Sequence, residues 1–229
     1  MASRNDRSEQ ILRTAMHLFH ERGFGGVGVD LIGEKAGMSG PAIYRYFSGK
    51  DEILMTLLDE AIDRVLMSTG GQFDDPREEL EHLVRGHVQR ALEERELISV
   101  WTRERNSIPT AYRSRLSARI ERYIDRWVDC LHACYPNQSR DVLNAAVHAT
   151  HGLIESTYMW PEKSLRTAGL AEILTGMALQ GLEWLGTDAP DTASAPTSVR
   201  QKRPPSRARG NAAAQPQGAC GPLIGRTGL

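Results

Sequence analysis

Apolar residues recur at helical spacing along most of this chain. Ile11, Ala15, Leu18 and Phe19 form one stripe, which predicts a helix from about Arg7 to Arg22. Gly23-Phe24-Gly25-Gly26 stops it. A short helix is expected over Val29 to Ala36, and another follows at once after Gly37-Met38-Ser39. Gly37 suits the left-handed residue that ends a helix. Ser39 suits an N-cap whose hydroxyl accepts orphan amide protons. Pro41 falls in the first turn, where its missing N–H costs nothing. A fourth helix is expected to open at Ser48, with Asp51 three residues on in a capping-box-like start. Its apolar positions run from Ile53 and Leu54 through Leu57, Leu58, Ala61 and Ile62 to Val65, too far for one small domain. It should therefore connect a head to a body.

Beyond Gly70-Gly71 and Asp74-Asp75-Pro76 the spacing predicts helices near 77–94, 97–105, 109–135, 139–160 and 167–185. Pro109, Pro136-Asn137 and Pro161 separate most of them. No alternating β-rich run is present, so the fold class is all-α, with about nine helices. Three regions follow: a head over 1–50, a helical body over 51–185, and a tail over 186–229 rich in Pro, Ala, Ser, Gly and Arg. The tail has too little apolar area to offset its ordering entropy and is expected to be disordered. Its basic stretch, VRQKRPPSRARG, is either a solvated tail or a source of sequence-independent phosphate affinity.

Two helices joined by a short glycine-containing turn match the helix-turn-helix. The second of them brings Tyr44, Arg45 and Tyr46 together, with Lys50 shortly after. Arginine reads guanine edges, while tyrosine and lysine hold phosphates. Successive residues step by about 100° around a helix, so Tyr44 and Arg45 would flank the groove-facing edge and Tyr46 would reach a neighbouring phosphate. Ile43 and Phe47, four apart, belong to the core. Lys50 opposes the dipole of the fourth helix, a placement that a nearby phosphate would explain.

Residues 11–60 resemble the DNA-binding domain of a TetR-family transcriptional regulator. The likeness rests on Ile11, Ala15, Leu18, Phe19, Gly23, Val29, Ile32, Ala36, Gly37, Ser39, Ile43, Tyr44, Tyr46, Phe47, Lys50 and Leu54. Three positions depart from the family pattern. Gly28 stands where Thr or Ser is usual, Gly40 where Lys is frequent, and Gly33 where Ala is frequent. The first two put individual phosphate contacts in doubt. The third weakens a short helix by ~1 kcal/mol unless close packing compensates. The resemblance implies a DNA-contacting set of Ser39, Gly40, Pro41, Ala42, Tyr44, Arg45, Tyr46 and Lys50. It also implies a homodimer reading an inverted-repeat operator in double-stranded DNA, and a repressor released by a small-molecule effector.

The net charge of −1 conceals an uneven distribution. Residues 1–50 carry seven Lys/Arg against five Asp/Glu, and the body carries fifteen against twenty-two. A mildly basic head on an acidic body suits a selective DNA reader better than a general DNA coater. No apolar run reaches ~18 residues, so no membrane span is expected. The polar N-terminus lacks a signal-peptide core, which points to the cytoplasm. Three cysteines, Cys130, Cys134 and Cys220, do not make a disulfide framework.

In the body, Trp101, Arg105, Tyr112, Tyr123 and Trp127 are the expected ligand-binding residues, with Met67, Met159 and Trp160 as further wall. Aromatic rings wall a cavity and arginine meets a carboxylate or phosphate, a composition suited to an acyl chain or its coenzyme-A thioester. The alternative is aromatic core with solvated arginines. Cys130 and Cys134 lie one turn apart but His132 points away from both, so no metal and no cofactor is expected. His148 and His151 are expected in core or interface. Ala145, Ala146, Ala149, Gly152, Gly169, Gly176 and Gly181 place small residues on the last two helices, the expected dimer surface, with an intrachain core as the alternative. No catalytic triad, phosphate loop or metal pair supports an enzyme. A non-specific DNA binder and a helical enzyme on a small hydrophobic substrate remain the competing readings.

Overall fold

The computed structural model describes residues 4–104, 108 and 110–187. Arg105 and residues 188–229, nearly all of the expected tail, lie outside them. The described residues form ten α-helices and two 3-10 turns, with no strand among them. The helices are α1 (Arg4–Arg22), α2 (Val29–Lys35), α3 (Gly40–Ile43), α4 (Lys50–Ser68), α5 (Pro76–Glu93), α6 (Arg95–Glu104), α7 (Thr110–Cys134), α8 (Arg140–Glu155), α9 (Glu162–Leu165) and α10 (Leu170–Glu183).

The extra helix, α9, lies between the expected 139–160 and 167–185 segments, and the first of these does not run through. Ser156 Oγ donates to Leu153 O and Thr157 Oγ1 to Ile154 O, 2.8 and 3.0 Å away. Such back-bonding competes with the helix ladder. The chain tightens into a 3-10 turn over Ser156–Met159, and α9 follows Pro161. Other ends are set by side chains as expected of caps. Asp75 accepts from Arg77 N at 2.8 Å with Pro76 in the first turn of α5, and Ser139 accepts from Val142 N at the start of α8.

Two cores result. The lower one gathers Ile11, Ala15, Leu18 and Phe19 of α1, Ile32, Ile43 and Phe47, and then Ile53, Leu54, Leu57 and Leu58 of α4. Leu97 and Val100 of α6 and Leu116 of α7 complete it. Residues 1–50 thus do not close a core alone. The upper core packs α5, α7, α8 and α10 around Leu83, Trp127, Leu131, Val147 and Leu174. The second half of α4 reaches it through Val65. Arg119 of α7 holds α4 by pairing with Asp59 at 2.9 Å and with Asp63.

Candidate functional site: a helix-turn-helix head and a cavity in the body

In the turn after α2, Gly37 takes a left-handed φ of 67°. Met38 N donates to Gly33 O at 2.8 Å and Gly37 N to Glu34 O at 3.1 Å, so the last carbonyls of α2 are satisfied. Gln10 of α1 donates to Ala36 O at 3.0 Å and fixes the turn against the first helix. Two of the unusual glycines now have a common reason. A Cβ at Gly33 would sit 3.0 Å from Gly40 N, and one at Gly40 would overlap the Asp30 carboxylate. The helices α2 and α3 approach closely because both positions lack a side chain.

The second helix is shorter than expected. Regular α-helix ends at Ile43, and the chain continues as one tighter turn. In it Tyr46 N bonds Ile43 O at 2.9 Å and Phe47 N bonds the same carbonyl at 3.1 Å. Tyr44, Arg45 and Tyr46 therefore sit on the turn that ends α3, not within it. Ser39 is the N-cap by backbone conformation, but its hydroxyl makes no cap hydrogen bond, contrary to expectation. Ser39, Pro41, Tyr44 and Arg45 are exposed, Tyr44 to 59%. Gly40, Ala42 and Tyr46 are half-buried, and Ile43 and Phe47 are buried as expected.

Lys50 has partners within the fold. Its ammonium donates to Phe24 O at 2.9 Å and Val27 O at 3.1 Å, and lies 4.4 Å from the Phe24 ring centroid. Two of its three protons tie α4 to the loop after α1, so its awkward place at a helix start is explained without a phosphate. The start of α4 also differs in detail. Gly49 is the N-cap, and Ser48 N donates to Glu52 rather than pairing with Asp51. The Ser48 hydroxyl, and after it the Ser48 N–H, lower the Glu52 pKa from its ordinary value.

The body holds a cavity of about 450 Å³. Leu58, Ala61, Ile62 and Val65 of α4 form one wall. Leu97, Ile98 and Trp101 of α6 and Leu116, Ile120, Tyr123 and Ile124 of α7 form others. Its polar lining is His87, Arg90 and Glu94 on the α5 side and His148, His151 and Glu155 from α8. Of the expected ligand residues, Trp101 and Tyr123 line this space. Trp127 is fully buried behind it, with its ring edge-on to His87 and His151. Tyr112 is exposed and carries Arg115 over its ring, so it is no part of the wall. Met67 and Met159 are exposed, and Trp160 packs on the upper core outside the lining. Two other arginines of this stretch are engaged within the fold. Arg103 caps the end of α1 by donating to His20 O at 2.7 Å, and Arg119 holds Asp59. Arg90, which does line the cavity, pairs with Glu93 and Glu94.

Sequence reasoning missed His87 and Glu155. The signal for His87 was its place on the stripe Leu80, Leu83, Val84, Val88, Ala91, all buried on α5. Burial depresses His87 to about 4 and His151 well below the ordinary imidazole value, and raises Glu155 to about 6. At neutral pH the two imidazoles are uncharged. Burial also pushes the Cys130 thiol up to about 12, so this thiol stays protonated at neutral pH.

On α8 and α10, Leu143, Val147 and Leu174 turn inward. Ala145, Ala149, Gly152, Gly176, Ile173, Met177 and Trp184 remain exposed, the last three to 46%, 55% and 55%. Small and apolar residues thus share the outer surface of these two helices.

Residues 11–56 match the family described as bacterial regulatory proteins, tetR family, and residues 74–182 match the tetracyclin repressor-like C-terminal domain. The HTH-type transcriptional activator FasR of Mycolicibacterium smegmatis is 35% identical over 63 residues, 28% of this chain and 29% of that protein. The HTH-type transcriptional regulator EthR of Mycobacterium tuberculosis is 35% identical over 74 residues, 32% of this chain and 34% of that protein. These matches span about a third of the relatives' length. Among solved structures, a TetR-family regulator from Bordetella parapertussis 12822 superimposes with a TM-score of 0.68 at 19% identity, covering 82% of this chain and 97% of that one. AibR, solved with isovaleryl coenzyme A and operator DNA, gives 0.65 at 18% identity, covering 76% and 97%. At such identities the likeness is one of fold.

Proposed function

We propose that this chain, which belongs to the TetR family of bacterial regulatory proteins, is a homodimeric, sequence-specific regulator of transcription whose hold on DNA depends on what fills its cavity. The observation that carries this reading is one helix serving two places. The first half of α4 packs Ile53 and Leu54 into the head, and its second half walls the cavity with Ile62 and Val65. An occupant that displaces α4 moves the head with it.

Ser39, Pro41, Tyr44 and Arg45 form the surface offered to the major groove, with Arg45 reading a base edge. The exposed apolar faces of α8 and α10 meet their copies across a two-fold axis, so two heads reach successive half-sites of an inverted repeat. The cavity is of small-molecule size and mostly aliphatic, which fits a short acyl chain, carried as the free acid or the coenzyme-A thioester. The complex formed by AibR is consistent with that class. Such an effector acts as an inducer only if it binds the DNA-incompetent arrangement more tightly. The coupling expected is ~1–3 kcal/mol.

The test begins with selection of bound sequences from random duplexes by the purified protein. Arg45→Ala should lose about 1–3 kcal/mol on the selected operator and little on random DNA. Equal loss on both defeats the base-reading role. Ile62→Trp, which fills the cavity, should keep operator binding and lose release by acyl-CoA. If no inverted repeat outcompetes scrambled duplex at any salt concentration, the reading of non-specific binding prevails.

A further inference from the structure

Three side chains of the cavity wall form a cluster that effector binding does not explain. His151 and Glu155 lie four residues apart on α8, so they share one face of that helix. His87 faces them from α5, its ring stacked on that of His151 with centroids 4.1 Å apart. One ligand atom from each of the three lies within 4.8 Å of the others. His87 Nε2 is 3.6 Å from Glu155 Oε1.

Both imidazoles are more than nine-tenths buried. Nε2 of each is buried without a hydrogen-bond partner. Buried nitrogens of His20, His82, Arg90 and Trp127 also lack a partner, but the two here belong to stacked rings beside a carboxylate. The other nitrogen of His87 is held. Its Nδ1 lies 3.1 Å from the Tyr123 hydroxyl. With Nδ1 donating to that oxygen, Nε2 keeps its lone pair and points at the cluster. An outer hydroxyl or carboxylate that fixes the tautomer is the usual companion of a metal-ligating histidine.

We propose that His87, His151 and Glu155 form a site for a divalent transition-metal ion, zinc being the best match. Two neutral imidazoles and one carboxylate are a donor set that zinc takes with three protein ligands and one open position. The open position faces the cavity, since all three residues line it. Zinc draws its ligand atoms to about 3.3 Å from one another, so side-chain rotations of ~1 Å close the cluster. Burial keeps the imidazoles unprotonated at neutral pH, and a cation beside Glu155 favours its ionised form. Magnesium and calcium prefer all-oxygen shells and fit poorly. An ion here would clamp α5 to α8.

The experiment uses the full chain stripped of metal by a chelator. Zn2+ is titrated calorimetrically, and Co2+ serves as its spectroscopic stand-in. The expected result is one ion per chain, a visible d–d band of a four- or five-coordinate site, no thiolate charge-transfer band, and no binding of Mg2+. Thermal stability rises on adding Zn2+. Glu155→Gln and His151→Gln each weaken Zn2+ by more than about tenfold, and Tyr123→Phe by roughly 10–100-fold through loss of the Nδ1 partner. Circular dichroism with chelator present checks folding, and the half-buried Glu155 variant keeps the test informative if His151→Gln does not fold. No saturable Zn2+ binding overturns the proposal. So does binding that survives both substitutions, or binding with a thiolate band, which would place the ion at Cys130 and Cys134. No DNA enters this measurement, so its failure leaves the regulatory reading standing.

Discussion

The core beneath the head and the core of the body are made of different residues. The buried lower core is aliphatic and phenylalanine apart from Met55, with Phe19 and Phe24 edge to face at 5.2 Å and no buried charged group among its described members. The upper core admits His87, His151, Tyr123, Trp127, Thr150 and Thr175, and the cavity lies between the two cores, with its polar lining from the upper side. Close apolar packing gives one stiff arrangement. Buried polar groups beside a void give an interior that changes when something enters or when protons arrive. On the proposed reading, a head that matches a fixed duplex and a body that responds to a solute need these two kinds of interior.

The comparison is broken most severely from the lower side. Phe19→Ala should cost about 3–5 kcal/mol, since the site is fully buried and cannot collapse. Unfolding by urea would show it, and a loss under ~1 kcal/mol would mean the lower core is looser than described. Acid probes the upper side. His87 binds a proton near 4 when folded and near the ordinary 6.5 when unfolded. Its contribution is whole above 6.5 and drains away as pH falls toward 4, by about 3 kcal/mol. His151 acts in the same sense. Glu155 is raised to about 6, so its contribution is present below 4.5 and lost as pH rises through 6, which offsets part of the change. The urea midpoint should fall between pH 6.5 and 4, and His87→Leu should flatten that fall. A midpoint as steep in His87→Leu as in the parent would remove His87 from the account.

Lys50 sharpens the boundary between the two regions. Lys50→Ala should lose about 1.5–3 kcal/mol of stability, because its two carbonyl partners are left in place. If stability holds and only the salt dependence of DNA binding changes, the lysine serves phosphate and not the fold. The smallest effect is at Gly28, the N-cap of α2, which makes no side-chain bond and has open space where a Cβ would stand. Gly28→Ser should add a few tenths of a kcal/mol, read as a slight rise in melting temperature.

The head was largely legible because its signals are local. Gly37, Pro41 and the stripe of α1 act on their own neighbours, and the spacing of Ile43 and Phe47 already separates core from surface. Even there, the sequence did not reveal that α3 ends at Ile43, or that Lys50 turns inward onto the loop around Phe24. The body was legible as helices but not as a site. Trp101 and Tyr123 were anticipated at the cavity, but Tyr112 was misplaced by aromatic character alone. Nor did the sequence show that Arg103 caps the end of α1 or that Arg119 holds the side of α4.

What the amino-acid order determined unaided was most of the helices, the helix-turn-helix and the face each long helix buries. Periodicity and capping are written within a few residues of where they act. What the tertiary structure alone decided was which buried residues meet. His87 lies sixty-four positions from His151, and Phe24 N bonds Glu104 Oε1 eighty positions away at 3.1 Å. Such pairings carry no periodic trace, because they follow from how whole helices cross and not from any one helix's own pattern.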